Sequence, residues 1–167
     1  MSTKLNALVI DDSGVMRKMV MKGLTDAKLA DFEFVEAENG QDALEKLRAN
    51  DDIDIAFVDW NMPVMTGIDF VVEVHKEAKW KGNDAIPMVM VTSEKTMGKL
   101  QEALDQAGAD GFISKPFTVD ELQRKVKKHI ETAQSLRIRR NRTKQLAAAG
   151  SAKGQPQQGG WLGKLFG

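Results

Sequence analysis

Short apolar runs alternate along the chain with stretches whose apolar residues recur at helical spacing. The runs are Leu5–Ile10, Phe32–Ala37, Ile53–Val58, Met88–Thr92 and Phe112–Ser114, and each reads as a strand. Between the first two lies Val15–Leu24, where Val15, Met16, Met19, Val20 and Leu24 share a helical face. Gln41–Leu47 carries Ala43, Leu44 and Leu47 on one side, and Ile68–Val74 and Leu100–Ala107 are further helices. The last helix runs from Leu122 onward. It opens with Thr118-Val119-Asp120-Glu121, a capping box whose Thr and Glu side chains satisfy orphan backbone donors. Gly98, near the start of the fourth helix, costs up to about 1 kcal/mol relative to Ala in a helix interior. It either loosens that end or sits harmlessly in a frayed turn.

Strictly alternating strands and helices imply parallel pairing with right-handed crossovers. The runs are largely apolar, as strands covered on both faces are. The predicted fold is an α/β doubly wound sheet of five parallel strands with helices on both faces. Its ligand site belongs beyond the carboxyl ends of the strands.

Those ends carry the candidate chemistry. Strand one runs into Asp11-Asp12, strand three into Asp59, strand four into Thr92-Ser93 and strand five into Ser114-Lys115-Pro116. Parallel strands bring all of these to one edge. Three carboxylates there repel one another unless a cation intervenes. Oxygen donors without His or Cys suit a hard cation such as Mg²⁺, which favours a phosphate oxygen among its ligands. A carboxylate can itself be the nucleophile toward phosphorus. Lys115 would neutralise phosphoryl charge and the Thr92 hydroxyl would donate to a phosphoryl oxygen. A single Asp at a strand end commonly serves as a turn or cap residue, so the joint arrangement carries the argument.

Composition narrows the class. The chain has 167 residues, 42% apolar and 29% charged, which supports a globular core. Cysteine is absent, so disulfides, thiolate metal sites and a cysteine nucleophile are excluded. No secretory signal is expected, since Leu5–Ile10 is too short for one and two aspartates follow. No run approaches the roughly 18 apolar residues of a membrane span, and a cytoplasmic protein is expected. His75 and His129 are the only histidines; both are assigned to ordinary helix surfaces, without a metal role.

The motifs VIDDS (Val9–Ser13), VDWNMP (Val58–Pro63) with Gly67, VTSE (Val91–Glu94) and GFISKPF (Gly111–Phe117) resemble a response-regulator receiver domain, and within that family the single-domain chemotaxis regulators. The resemblance covers about Lys4 to Glu131. It implies the strand order 2-1-3-4-5. It also implies that Asp59 accepts a phosphoryl group from a histidine kinase. Asp11, Asp12, Asp59 and the backbone carbonyl of Asn61 would hold Mg²⁺. Thr92 would be the switch hydroxyl and Lys115 the phosphate-binding lysine, with the bond before Pro116 often cis. Phe112 falls at the aromatic switch position, and the surface of helix four, strand five and helix five would meet the effector. Thr66 departs from the family, which usually has an acid before the turn glycine. Asn61 and Glu94 occupy positions that tune phosphoryl lifetime, and fairly fast self-dephosphorylation is expected. The implied protein is a regulatory phosphoacceptor and not an enzyme beyond its own phosphorylation and dephosphorylation.

Other classes fit less well. A transcriptional regulator would need a DNA-binding domain, and none is expected after residue 131. A phosphatase with an aspartyl nucleophile usually has a second Asp where Asn61 stands. A flavodoxin-like carrier would want a phosphate loop where Asp11 and Asp12 stand. A phosphorelay intermediate or phosphate sink outside chemotaxis is the nearest alternative.

Zero net charge hides an asymmetry. From Thr132 onward there are seven basic residues and no acid, which leaves the preceding residues with seven acids in excess. The expected organisation is a receiver over 1–131, a basic helix extension and polar linker over 132–160, and an apolar motif over 161–167. LRIRRNRTK (Leu136–Lys144) suits nucleic acid, anionic lipid or an acidic protein surface, or is a solvated helix end. GSAKGQPQQGG (Gly150–Gly160) reads as linker. Trp161, Leu162, Leu165 and Phe166 then read as a tethered docking motif for a partner protein or for this receiver, with a weak membrane anchor as the alternative.

Overall fold

The apolar runs pair side by side. In the computed structural model, which describes residues 4–80, 82 and 85–153, the strands are β1 (Leu5–Ile10), β2 (Phe32–Ala37), β3 (Ile55–Asp59), β4 (Met88–Thr92) and β5 (Gly111–Ser114). The helices are α1 (Gly14–Asp26), α2 (Gly40–Ala49), α3 (Gly67–Lys76), α4 (Met97–Ala107) and α5 (Val119–Lys153), with a 3-10 turn at Ala78–Trp80. All strand pairs are parallel, in the order β2-β1-β3-β4-β5. This is the doubly wound sheet expected, and its switch point lies between β1 and β3.

Successive strand residues face opposite sides. Leu8, Ile10, Ala56, Val58, Met88 and Met90 enter one apolar layer with Leu44, Leu47, Phe70 and Val74 of α2 and α3. Ala7, Val9, Ile55, Phe57, Val89 and Val91 enter the other with Val20 and Leu24 of α1 and Leu122, Val126 and Ile130 of α5. The third strand starts two residues later than expected and keeps Asp59 as its last paired residue, opposite Val91.

The inward face of α1 differs from the expected one. Val15 and Met19 are 70% and 48% exposed, whereas Val20, Gly23 and Leu24 are buried. Gly23 sets this rotation. A Cβ there would lie 2.8 Å from Leu122 Cδ2 and 2.9 Å from Phe117 Cε2, so α5 and the loop before it press on the bare backbone.

The histidines also differ from expectation. His129 is buried, with its Nε2 only 2.7 Å from where a Gly111 Cβ would stand. Burial, reinforced by the Lys128 charge and opposed by Asp110, pushes its pKa down. His75 is half-buried, and its Nδ1 lies 2.9 Å from the Ala107 carbonyl. Both pack elements together, and neither lies on a plain helix surface.

Helix α5 starts as the capping box predicts: the Thr118 N–H donates to Glu121 Oε2 at 3.0 Å and the Glu121 N–H to Thr118 Oγ1 at 3.2 Å. Ala133 and Leu136 are buried further along it. Arg137 then donates to the Asp52 carbonyl at 3.1 Å and to buried Asp54 at 3.3 Å; Asp54 also accepts the Asn6 N–H at 2.8 Å. The helix is thereby tied to the amino ends of β1 and β3. The chain divides into two compact units, residues 1–137 and 138–167. The polar stretch from Gly150 does not begin as linker, because α5 includes Gly150 to Lys153. Three alanines, the best helix formers, precede Gly150 and carry the helix through it. The remaining linker and the motif of Trp161, Leu162, Leu165 and Phe166 lie outside the described residues.

Two glycines test the packing. A Cβ on Gly67 would lie 2.0 Å from the Asp59 carbonyl oxygen, because the chain doubles back and the Gly67 N–H donates to the Trp60 carbonyl at 2.9 Å. Gly67→Ala should lower unfolding stability by about 2–3 kcal/mol in urea titration, as overpacking does. Gly98 has nothing within 4 Å of its Cβ position. Gly98→Ala should stabilise, by at most about 1 kcal/mol. A reversed order of the two effects would contradict this packing.

Candidate functional site

Strand register brings the polar ends together. Ile10 pairs with Val58, which sets Asp11 level with Asp59; Thr92 pairs with Ser114, which delivers Lys115 next to them. Asp11 and Asp59 are buried and Asp12 is exposed. One carboxylate oxygen from each of the three lies within 4.8 Å of the others. The Lys115 ammonium sits 3.0 Å from Asp11 Oδ2 and 3.0 Å from Asp59 Oδ1. Lys115 is itself held by its N–H, which donates to the Thr92 carbonyl at 2.7 Å, and the Lys115–Pro116 bond is cis.

Three carboxylates against one ammonium leave two negative charges in excess. All donors are oxygen, which suits a hard divalent cation. Burial raises the Asp59 pKa, the Lys115 hydrogen bond and charge oppose this, and Asp11 and Asp12 add to it. For Lys115 burial works against the charged form, but its hydrogen bonds and charge pairing with Asp11 and Asp59 win and raise its pKa. The two carboxylates favour the charged lysine, whereas the lysine offsets only part of the burial that favours neutral Asp59.

Thr92 is fully buried, and its Oγ1 accepts the Glu94 N–H at 3.0 Å. Glu94 in turn accepts the Lys95 and Thr96 N–H groups at 3.0 and 2.8 Å. Those bonds, the Thr96 ones foremost, hold its carboxyl below the usual range. Asn61 is exposed, two residues after Asp59. Thr66, which stands where the family has an acid, is the N-cap of α3 and accepts the Asp69 N–H at 3.1 Å. Phe112 is half-buried on β5 with Lys125 Nζ 4.9 Å from its ring centroid. The two line a groove of about 570 Å³ bounded by Leu104 of α4, Asp110 and Gly111, and Lys128 and His129 of α5.

Sequence reasoning missed the support behind Asp11. Arg17 Nη1 donates to the Asp11 carbonyl at 2.7 Å while its Nε donates to Glu36 at 2.9 Å. The Ser13 N–H donates to Asp11 Oδ1 at 2.9 Å, and the Ser13 hydroxyl caps α1 by accepting the Met16 N–H at 3.3 Å. Ser13 before a helix is a readable cap; the Arg17–Glu36 pair joins α1 to β2 and leaves no local signal.

Residues 7–127 match the family described as the response regulator receiver domain. This chain is a response-regulator receiver. The receiver is 38% identical over 122 residues to chemotaxis protein CheY1 of Helicobacter pylori, which covers 73% of this chain and 94% of that protein. It is 36% identical over 127 residues to chemotaxis protein CheY of Pseudomonas aeruginosa, covering 76% and 97%. Among solved structures it resembles chemotaxis protein CheY4 of Vibrio cholerae, with a TM-score of 0.62, 34% identity and coverage of 73% and 95%. It also resembles a chain in the CheX–CheY–BeF₃–Mg complex from Borrelia burgdorferi, with a TM-score of 0.64, 25% identity and coverage of 74% and 87%. The receiver therefore has the phosphoacceptor role of a two-component system, and receiver domains bind Mg²⁺ at an acidic cluster of this kind. Among the described residues, no helix is long and apolar enough to cross a membrane.

The raised Asp59 pKa has a stability consequence. The folded protein holds this proton more tightly than the unfolded chain, so ionising Asp59 costs stability. Its contribution is fully present below the ordinary value of 3.8 and is lost as pH rises through the higher folded value. In chelator, Asp59→Asn should therefore be more stable than the parent at neutral pH. That advantage should shrink as pH falls toward 3.8 and below. Urea midpoints across pH check this, and an advantage that grew on acidification would contradict it.

Proposed function

We propose that Asp59 is the phosphoacceptor, and that this receiver relays a histidine kinase signal by changing which protein it binds. The Lys115 ammonium at 3.0 Å from both Asp11 and Asp59 carries this reading. One Asp59 oxygen attacks phosphorus in line; the new O–P bond forms as the P–N bond of the donor phosphohistidine breaks. The imidazole leaves with the bonding electron pair and regains a proton. Lys115 favours the ionised Asp59 that attacks, against the burial that opposes it, and afterwards pairs with the added phosphoryl charge. Asp11, Asp12, Asp59 and the Asn61 carbonyl would hold Mg²⁺, which supplies charge neutralisation for the incoming group.

Thr92 donates its hydroxyl to a phosphoryl oxygen and Phe112 takes up the space vacated. The groove of α4, β5 and α5 is reshaped, and a partner that prefers one shape shifts the population toward it. Chemotaxis is the output we favour, given relatives described as chemotaxis proteins. The Borrelia complex pairs its CheY with CheX, BeF₃ and Mg, which supports a metal-assisted acyl phosphate and a protein partner here. With Asn61 and Glu94 in the lifetime-tuning positions, self-dephosphorylation is fairly fast. The protein works in the cytoplasm, and it is a switch whose chemistry is confined to its own Asp59.

Labelled acetyl phosphate with Mg²⁺ tests the assignment. The parent chain should take up label to about one equivalent, and Asp59→Asn none. Undiminished labelling of Asp59→Asn would sink it. Lys115→Ala should still take label, and Phe112 should then respond less; a full response without Lys115 would remove that lysine from the switch.

A further inference from the structure

Arg17 lies in the second turn of α1, and only 15% of its side chain is exposed. Its Nε donates to Glu36 of β2 at 2.9 Å, and its Nη1 donates to the Asp11 carbonyl at 2.7 Å. A Cβ on Gly14 would lie 3.3 Å from Arg17 Nη2, so the bare glycine lets the guanidinium lie close against the loop. Glu36 is itself anchored. Lys46 of α2 donates to its carbonyl at 2.6 Å and pairs with Asp42 at 3.0 Å.

Every polar group of Asp11 is engaged. Its N–H donates to the Ala37 carbonyl at 3.1 Å, its carbonyl accepts from Arg17, its Oδ1 accepts the Ser13 N–H at 2.9 Å, and its Oδ2 accepts from Lys115 at 3.0 Å. Strand β2 thus holds Asp11 from both sides, directly through Ala37 and indirectly through Glu36 and Arg17. The carbonyl that Arg17 grips belongs to the peptide between Asp11 and Asp12. Rotation of that peptide would swing the exposed Asp12 away from the cluster it forms with Asp11 and Asp59. An ion pair with Glu36 needs only one arm of the guanidinium. The second arm adds a direction, because a planar guanidinium fixes its donors relative to one another.

We propose that Arg17 is a positioning residue for the divalent cation: it fixes the Asp11–Asp12 peptide and so sets the affinity of the acidic cluster for Mg²⁺. This rests on the reading of Asp11, Asp12 and Asp59 as the metal ligands. Partners that orient a metal's ligands commonly change its affinity by about 10- to 100-fold when lost. A pure charge effect has the opposite sign. Arg17 is a cation beside carboxylates, and removing it would strengthen their attraction for another cation. Orientation and charge therefore predict opposite outcomes for one substitution.

Calorimetric titration of the full-length chain with Mg²⁺ alone tests this. Arg17→Ala should bind Mg²⁺ about tenfold more weakly than the parent. Arg17→Lys keeps the charge without the fork and should also bind more weakly than the parent. Glu36→Gln should weaken binding less, and combined with Arg17→Ala should add nothing further, since both act through one contact. In acetyl phosphate labelling Arg17→Ala should need about tenfold more Mg²⁺ and still reach the parent's final level. A merely structural role would lower the urea midpoint and leave the Mg²⁺ requirement in place. Unchanged or tighter Mg²⁺ binding by Arg17→Ala, or parental binding by Arg17→Lys, would overturn the proposal. A parent chain that bound no Mg²⁺, or that bound it equally well as Asp11→Asn, would instead remove the metal site, and the proposal with it.

Discussion

The ammonium of Lys115, wedged between Asp11 and Asp59, is the contact on which the edge of the sheet depends. Two like charges about 4 Å apart repel by about 4 kcal/mol at an effective dielectric constant of 20. Three carboxylates in such a place would protonate or splay apart without a cation. Lys115 answers part of that repulsion and is positioned by the backbone rather than by its own long stem, since its N–H is tied to Thr92 at the end of β4. What it leaves over is a charge of minus two, which a divalent ion would cancel. A phosphoryl group entering with such an ion meets a site close to neutral, which is the electrostatic condition for transfer to an oxygen that is itself anionic.

The same lysine links the site to the rest of the fold. Its N–H bonds to the Thr92 carbonyl, while the Thr92 hydroxyl accepts the Glu94 N–H, and Glu94 closes over the N–H groups of Lys95 and Thr96. A Thr92 side chain that moved toward a phosphoryl oxygen would strain the bond it accepts from the Glu94 N–H. The first turn of α4 is where the consequence falls. Thr96 makes no side-chain cap there, and Gly98 has empty space around it. The start of α4 is therefore held mainly through Glu94, and the helix bounding the Phe112 groove is the one least fixed at its amino end. Elements that move are drawn from such weakly tied stretches.

Much of this was legible before any coordinates. β1, β3 and β4 are largely apolar runs, as strands buried on both faces are, and β2 with Glu33 and Glu36 is the alternating edge strand; the fold and the alignment of Asp11, Asp59, Thr92 and Lys115 followed from counting. What could not be read arises from pairs distant in sequence. Gly23 looks like a flaw in a helix, yet it lets Phe117 and Leu122 approach and turns Val15 and Met19 outward. His129 looks like a surface residue on α5 until Gly111 is seen to open the space that receives it. Arg17 reaches Glu36 and the Asp11 carbonyl across three elements, and Arg137 reaches Asp54 across more than eighty residues. Periodicity reports which face of an element is apolar; it is silent on which missing side chain makes room for a neighbour.

The output must also be considered as a matter of concentration. A receiver that signals by binding depends on how often its activated face meets its reader. Charge divides the chain into two parts. The acids gather before Thr132, where a cation and a phosphoryl group are handled, and every residue after it that is charged is basic. Phosphorylation adds negative charge to the acidic part.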